Sequence, residues 1–272
     1  MSDGQDVVVV GAEGRIGHLL CGMTEGPWRP VPVTRHSDPA RLSEPLEGPR
    51  APIVLCTRND DLDAIVTYVH PSRHADLVFV QNGAIRPWLV QRGLESGPAD
   101  PFPHVEPDRG VLWVAVPKRG DTPVPGGASV FSGHWGPALA QMLDRHGVDA
   151  CAVERVELAR EEAVKLAWIC ATGLLGSATG EGVGGIDAHH ADDLESLVRE
   201  LFTVLCISPG LDIDADALVA RVQAYSARIP HFPARLKEWR WRNGAVLRTA
   251  EAAGLGTPVH DHWLERAGGP PG

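Results

Sequence analysis

The sequence lacks several features that define common classes of protein. It has no run of about 18 apolar residues, so no membrane-spanning helix is expected. It contains no Cys-x-x-Cys pair and an odd number of cysteines, five, which favours reduced thiols over a cysteine-based zinc site. The Gly-x-Ser-x-Gly motif of many hydrolases is also absent, which disfavours nucleophilic hydrolysis.

The chain has fewer basic residues than acidic ones. The 25 Lys and Arg residues against 35 Asp and Glu residues give a net charge of -10, so a nucleic acid partner is not expected. Hydrophobic residues make up 43% of the chain, which is enough for a sizeable core and too many for a disordered protein. The first residues, MSDGQD, match neither a secretory signal nor a transit peptide, so we expect a cytoplasmic protein that does not bind membranes.

A valine run followed by a glycine-rich turn stands near the start of the chain. Residues 7–10 predict a buried strand, GAEGRIG at 11–17 a turn, and the following residues a helix. This order is typical of the phosphate-binding start of a Rossmann-type sheet, although the glycine spacing departs from strict Gly-x-Gly-x-x-Gly. The alternative is a tight turn without a ligand. The predicted cofactor-binding residues in this turn are Gly11, Ala12, Glu13, Gly14, Arg15 and Ile16.

The next predicted strand bears on which nicotinamide cofactor would bind. Residues 31–33 (VPV) predict a strand, and Arg35 follows it closely. NAD-specific folds usually carry an acidic residue there, whereas an arginine suits the 2′-phosphate of NADP(H). We therefore expect NADP(H) to be the cofactor, and the alternative is a solvated loop arginine.

Further strands are predicted along the first half, and one of them ends in an Asn-Gly turn. These segments are 53–57, 76–83, 111–116 and 128–133. Asn82 and Gly83 stand at the carboxyl end of their strand, where ligands bind in open α/β sheets. We expect both residues to contact the cofactor and Asn82 also to contact the substrate, unless the pair forms only a turn.

The second half of the sequence is helical in pattern. The predicted helices are 161–175, 192–206, 214–228 and 232–253, with a flexible loop at 176–185. The sequence thus predicts an α/β protein with a Rossmann-type, doubly wound sheet at 1–156 and an all-helical domain at 157–272.

Lys165 is the one charge inside the apolar stretch of the first of these helices. Burying an unpaired ammonium costs several kcal/mol, so this side chain must reach solvent, find a partner or face a cleft. Glu238 and Arg242 are four residues apart, and the plain interpretation of that spacing is a surface ion pair.

Taken in order, these motifs make the chain resemble the ketopantoate reductase family. The similarity extends along nearly the whole chain and is greatest to an uncharacterised subgroup of that family. The motifs that carry it are LCTRNDDL (55–62), DLVFVQNG (76–83), PWL (87–89), KLAWI (165–169) and AYSARIPHFPARLKEWRWRNG (224–244). The resemblance implies an NADP(H)-binding Rossmann domain, a helical domain like the C-terminal domain of 6-phosphogluconate dehydrogenase, and an active site between them.

The resemblance also implies roles for individual residues. Lys165 would stabilise and protonate the substrate oxygen as hydride arrives, and Glu238 would orient that lysine. Thr57, Arg58 and Arg35 would lie near the cofactor. The predicted substrate-binding residues are Asn82, Trp168, Ile169 and Ser226, of which Trp168 and Ile169 lie on the same helix as Lys165. For Trp168 the alternative is simple core packing, which is the commoner role of a tryptophan and the one that the sequence favours.

The chain departs from the family where substrate is bound. Ketopantoate reductases carry two asparagines one and two turns after the lysine, and this sequence has Ile169 and Gly173 there. Losing two amides predicts a more apolar and roomier pocket, and therefore a different substrate. We expect reduction of a bulkier 2-keto acid-like carbonyl or of an imine, and not the formation of pantoate.

Two other kinds of function stay open at this point. The lost asparagines also fit a non-catalytic NADP(H)-binding sensor or partner protein. Metal chemistry is a weaker alternative that rests on two polar clusters, and we expect no metal. The clusters are His189 and His190 with Asp192 and Asp193, and His260, Asp261 and His262. Helical domains of this family often pair, so a homodimer is also left open.

Overall fold

The computed structural model describes residues 4–37, 40–44, 49–96, 106–207 and 213–271. The chain divides into two units: unit 1 comprises Met1–Gln81 and Ile85–Leu158, and unit 2 comprises Asn82–Ala84 and Ala159–Gly272. No helix in the described ranges is long and apolar enough to cross a membrane.

Unit 1 is built on one mixed, mostly parallel sheet. The described residues form nine strands: β1 (Gln5–Val10), β2 (Trp28–Val33), β3 (Ile53–Leu55), β4 (Leu77–Phe79), β5 (Asp108–Val111), β6 (Val114–Ala115), β7 (Val124–Pro125), β8 (Ser129–Ser132) and β9 (Ala150–Ala152). Seven of them form a sheet in the order β2-β1-β3-β4-β5-β8-β9, antiparallel only between β5 and β8. Strands β6 and β7 form a small antiparallel hairpin. The predicted Rossmann-type sheet is confirmed.

The strand order of unit 1 contains a switch point. The chain moves from β1 outward to β2 and then returns to the other side of β1 with β3. Ligands bind at such a switch point, outside the carboxyl ends of the strands. The valines of β1 are buried because both faces of the sheet are covered, and each contributes about 1.5–3 kcal/mol by leaving water.

Short helices connect these strands. In unit 1 they are α1 (Arg15–Cys21), α2 (Ala40–Ser43), α3 (Leu62–Tyr68), α4 (Arg86–Gln91) and α5 (Gly136–Arg145), with 3-10 turns at Asn59–Asp61 and Pro71–Asp76. Leu20 of α1 and Leu139 of α5 pack into the same core as Val7 and Val9 of β1.

Unit 2 is helical, as the sequence predicts. Its helices are α6 (Arg155–Thr179), which begins in unit 1, α7 (Val183–His189), α8 (Ala191–Leu205), α9 (Ala215–Arg228), α10 (Asn243–Ala252) and α11 (Pro258–Arg266), with a 3-10 turn at Trp239–Trp241. The dividing point of the two units, after Leu158, falls inside α6.

The predicted loop at 176–185 is wrong. Helix α6 continues to Thr179 and α7 begins at Val183, so only a short break separates them. Position 176 of α6 requires glycine, because the backbone of another segment comes so close that a Cβ there would lie 2.3 Å from the carbonyl oxygen of Ala234. The Arg235 side chain donates to the carbonyl of Gly176 at 2.8 Å and so satisfies an acceptor at the helix end.

The predicted helix at 232–253 is wrong in its first half. Residues 232–238 are not helical, and α10 begins only at Asn243. Pro233 has no N–H to donate to a helix, and it forms a bridge with Gly182. The Leu236 N–H donates to Ser177 Oγ at 2.8 Å, so this segment finds its hydrogen bonds on the α6–α7 region.

Candidate functional site

A cleft of about 840 Å³ lies at the carboxyl ends of β1, β2 and β3 in unit 1. Its volume is in the range of small-molecule and cofactor sites. The lining comes from the glycine turn, the residues after β2 and the residues after β3. Among these residues are Gly11, Glu13, Gly14, Thr34, Arg35, Ser37, Thr57, Arg58 and Asp61. Six of them are residues that the sequence predicts to bind the cofactor.

The glycine turn has the close packing that a nucleotide-binding turn requires. Gly11 has φ +84, and a Cβ there would lie 2.8 Å from Thr57 Cγ2. A Cβ on Gly17 would lie 2.2 Å from the carbonyl oxygen of Gly11. A side chain on Gly11 would push the turn away from the residues that follow β3, and one on Gly17 would push α1 away from the turn, so both glycines are needed for this close packing.

Both signs of charge face this cleft. The Arg35 side chain is 81% exposed, and its Nε lies 3.9 Å from Glu13 Oε2, which is the outer limit of an ion pair. Because that contact is long and exposed, it is worth little and leaves the guanidinium able to bind an anion. The loop that carries Arg35 is held by Ser37 Oγ, which accepts from the Thr34 N–H at 2.9 Å.

One polar atom in the cleft lacks a partner. Thr57 Oγ1 is buried and has no hydrogen bond to any residue in the described part of the chain. A buried hydroxyl of this kind costs free energy unless a ligand or water satisfies it. Thr57 lines the cleft beside Gly11, so the site fits a polar ligand there.

The other predicted cofactor residues are not among those that line this cleft. The Arg15 guanidinium donates to the carbonyls of Val116 and Pro117 at 3.1 and 3.3 Å. Ala12 is buried, and Ile16 packs against the core of unit 1. Asn82 and Gly83 belong to unit 2, where the adjoining Ala84 N–H donates to the Trp241 carbonyl at 2.7 Å.

Lys165 is buried in unit 2. It is 5% exposed, and its Nζ lies 4.0 Å from the centre of the Tyr225 ring and 5.1 Å from that of Trp168. The pKa of Lys165 is lowered from 10.5 to about 7, chiefly by burial and also by the charge of Arg242, while the charge of Glu161 acts in the opposite direction. The side chain therefore does not snorkel into solvent, and it changes charge near neutral pH.

The aromatic residues around Lys165 are held by a hydrogen bond. Trp168 Nε1 donates to Ser226 Oγ at 2.9 Å, and the Trp168 and Tyr225 rings meet edge to face with centres 4.5 Å apart. Ser226 is buried and Trp168 is partly exposed. In unit 2 the serine therefore fixes the tryptophan, whose ring lies against the lysine.

Glu238 and Arg242 do form an ion pair, with Glu238 Oε2 2.5 Å from Arg242 Nη2. Both side chains are largely buried, so the plain interpretation as a surface pair is wrong. Glu238 has φ +47, the only positive φ of a non-glycine residue among the described positions. Such a conformation costs about 1–3 kcal/mol and is often found at functional sites.

Another segment of unit 2 lies against Gly173, where the sequence predicted open space. A Cβ on Gly173 would lie 3.0 Å from the carbonyl oxygen of Arg235. The segment around Arg235 therefore occupies the space where the family has an asparagine side chain. Ile169 is buried, which agrees with the expected apolar character at that position.

Several charged and aromatic residues near Lys165 escaped the sequence analysis. They are Glu161, Arg221 and Tyr225. The sequence does contain a pattern that indicates them: Glu161 precedes Lys165 by one helical turn, and Arg221 precedes Tyr225 by the same spacing. Only the packing of α6 against α9 shows that these two pairs meet.

The two clusters considered for metal binding are held in other ways. His190 Nδ1 lies 3.0 Å from Asp193 Oδ2, and His189 Nδ1 lies 3.1 Å from Glu181 Oε1. His260 is fully buried, with its Nε2 3.1 Å from Asn243 Nδ2. Within the described ranges, no three His, Cys, Asp or Glu side chains come together as a metal site.

By sequence alone, the chain matches no family model and no curated protein. Solved structures do resemble it. D-mandelate dehydrogenase in complex with NADH has a TM-score of 0.69 at 14% identity, and the match covers 97% of this chain and 98% of that one. A probable 2-dehydropantoate 2-reductase from Bacillus subtilis has a TM-score of 0.66 at 14% identity, over 97% and 99% of the two chains. A dimeric ketopantoate reductase from Staphylococcus aureus has a TM-score of 0.61 at 16% identity, over 96% and 97%. The chain therefore has the fold of the ketopantoate reductases, which its sequence motifs predicted.

Proposed function

We propose that this protein is an NADPH-dependent reductase of a 2-keto acid-like carbonyl or an imine. The observation that carries the proposal is Lys165, a buried lysine whose pKa is lowered to about 7 and whose Nζ lies against two aromatic rings. A general acid works best when its pKa lies near the working pH, and this lysine meets that condition.

The cleft of unit 1 is the proposed NADP(H) site. Gly11 and Gly14 allow close approach of the pyrophosphate, and the buried Thr57 hydroxyl offers it an unsatisfied polar group. Arg35 and Arg58 supply the positive charge that a 2′-phosphate requires. The bound nicotinamide would supply a hydride to the unsaturated carbon of the substrate. The NADH in the structure of D-mandelate dehydrogenase supports a nicotinamide cofactor in this fold.

In unit 2, Lys165 is proposed to complete the reduction with a proton. Its ammonium donates a hydrogen bond to the substrate oxygen or nitrogen, which favours the negative charge that develops there. It then transfers the proton, so that a ketone becomes an alcohol and the lysine becomes a neutral amine that water reprotonates. Glu238 takes part through Arg242, because this ion pair fixes a positive charge close to Lys165.

The substrate is proposed to carry an apolar group beside its carbonyl or imine. Ile169 and Trp168 offer apolar surface on the lysine helix, and neither Ile169 nor Gly173 offers an amide to hold the hydroxyl groups of pantoate. Asn82 and Ser226 are the proposed polar contacts. Assembly as a homodimer is also proposed, and the dimeric ketopantoate reductase with the same fold supports it.

Calorimetric titration with NADPH and with NADH, followed by a panel of 2-oxo acids and cyclic imines, tests the function. We expect NADPH to bind more tightly than NADH, and at least one compound to be reduced. The second candidate is a non-catalytic NADP(H)-binding protein, favoured by the missing amides at Ile169 and Gly173. Tight NADPH binding without turnover across the panel would support that candidate and count against the reductase.

A further inference from the structure

Helices α6 and α9 meet in a matched series of side-chain contacts around Lys165. Arg221 of α9 binds Glu161 of α6 through both carboxylate oxygens, with Nη2 2.6 Å from Oε2. One turn further along each helix, the Tyr225 ring lies 4.0 Å from Lys165 Nζ. Next to that contact, Ser226 holds Trp168. The register of the two helices thus sets the contacts that Lys165 makes with α9.

Glu161 is an unusual member of this series. It is 3% exposed, whereas the side chain of its partner Arg221 is 44% exposed. A buried carboxylate is costly unless its charge is compensated, and the two-point contact with Arg221 supplies that compensation. Glu161 also lies one helical turn before Lys165, which puts the two side chains on the same face of α6.

We propose that Glu161, fixed by Arg221, is a positioning residue that holds the Lys165 ammonium against the Tyr225 ring and keeps it charged for proton transfer. This inference deepens the proposed function and rests on it for its catalytic meaning. The resemblance assigns the carboxylate role to Glu238, but Glu238 is joined to Arg242. Of the two carboxylates, Glu161 is the one whose charge favours the ammonium form of Lys165.

The charged and titratable groups around Lys165 come from three elements. Glu161 lies on its own helix, Arg221 and Tyr225 lie on α9, and Arg242 with Glu238 flanks the 3-10 turn at Trp239–Trp241. Arg242 disfavours the ammonium, while Glu161 favours it. Removing the charge of Glu161 therefore leaves Arg242 and burial to act alone.

The chain offers a direct test because it contains three lysines, Lys118, Lys165 and Lys237. Protein labelled with carbon-13 at the lysine ε position gives few signals, and Lys165→Met assigns the one of interest. We expect Glu161→Gln to lower the pKa of Lys165, which reduces its charged fraction at pH 7 at least about fivefold. Arg221→Met should raise the pKa, because the negative charge of Glu161 beside Lys165 is then no longer compensated by the guanidinium. Glu195→Gln removes another helical ion pair, between Glu195 and Arg199 on α8, and should change nothing.

Opposite shifts in the two variants separate positioning from general damage, because a loosened core would move both titrations in the same direction. The inference is overturned if Lys165 titrates in Glu161→Gln as it does in the wild-type chain, or if Arg221→Met lowers the pKa. The solvent-exposed Arg221 variant keeps the test available if the buried Glu161 variant does not fold. Because the NMR titration needs neither cofactor nor substrate, its result stands whether or not the reductase activity is found.

Discussion

Lys165 Nζ lies 4.0 Å from the centre of the Tyr225 ring. The face of an aromatic ring attracts a cation, and a buried contact of this kind is worth about 2 kcal/mol. The ring compensates in part for an ammonium that burial disfavours. This relationship joins α6 to α9 at the residue on which the proposed chemistry depends.

Replacing the ring should change the titration of Lys165. In Tyr225→Leu the cation loses its aromatic partner, so we expect the pKa of Lys165 to fall below about 7. Tyr225→Phe keeps the ring face and should titrate close to the wild-type chain. Carbon-13 NMR of the labelled lysines measures both. Equal shifts in the two variants would show that the phenol hydroxyl, and not the ring, controls the lysine.

The lowered pKa of Lys165 also predicts how stability depends on pH. Between about pH 7 and pH 10.5 the unfolded chain holds a proton on this lysine that the folded chain has lost. The free energy of unfolding should therefore rise with pH across this window, and below it the penalty for burying the charge is fully present. Lys165→Met should remove this rise and stabilise the protein at neutral pH by a few kcal/mol, on the order of what such a pKa change represents.

Denaturant unfolding at about pH 7 and about pH 10 measures this effect. Lys237→Met is the matched control, because Lys237 is exposed and its removal should leave the pH dependence as it is. A Lys165→Met protein with the same pH dependence as the wild-type chain would mean that the lysine is not buried with a lowered pKa.

Arg35 should decide between the two nicotinamide cofactors. Arg35→Ala removes a guanidinium from the cleft, so we expect NADPH affinity to fall about tenfold to a hundredfold, the range of one charge-assisted hydrogen bond. NADH affinity should stay the same, since NADH has no 2′-phosphate. Arg29→Ala is the control, because Arg29 is also exposed but pairs with Asp6 away from the cleft. An equal loss for NADPH and NADH would contradict the 2′-phosphate role.

Gly17 should tolerate no side chain. A Cβ there would lie 2.2 Å from the carbonyl oxygen of Gly11, so Gly17→Ala should cost at least about 2 kcal/mol of stability and distort the nucleotide turn. At Gly22, near the end of the same helix, the nearest atom would be 3.4 Å away, which is an ordinary contact. Gly22→Ala should leave both stability and NADPH binding nearly intact. Thermal unfolding and calorimetry of the two variants make the comparison.

The sequence predicted the first half of the fold better than the second. The valines of β1 and the glycine turn are local signals, so the Rossmann-type opening was readable from a few residues. The break at Gly180 and the non-helical segment before Glu238 could not be predicted from a few neighbouring residues. There, Gly176 and Pro233 make contacts with segments about 50 to 60 residues away in the chain, and such contacts leave no local periodicity.

Some residues of the candidate site could likewise be identified from the sequence, and others could not. Lys165 was identifiable because one charge stood in an apolar helix, and Arg35 because it followed a strand. Glu161 and Arg221 were not identifiable as a pair, since each alone looks like a solvated helix charge. Their meeting depends on the register of α6 against α9, which the packing of unit 2 determines.

The most direct test of the central claim compares wild-type protein with Lys165→Met for NADPH binding and for NADPH-dependent reduction of a substrate from the 2-oxo acid and imine panel. We predict that both proteins bind NADPH equally, since the cleft lies in unit 1, and that only the wild type reduces the substrate. Reduction at the wild-type rate by Lys165→Met, or binding of neither NADPH nor NADH to the wild-type protein, would contradict the proposed function.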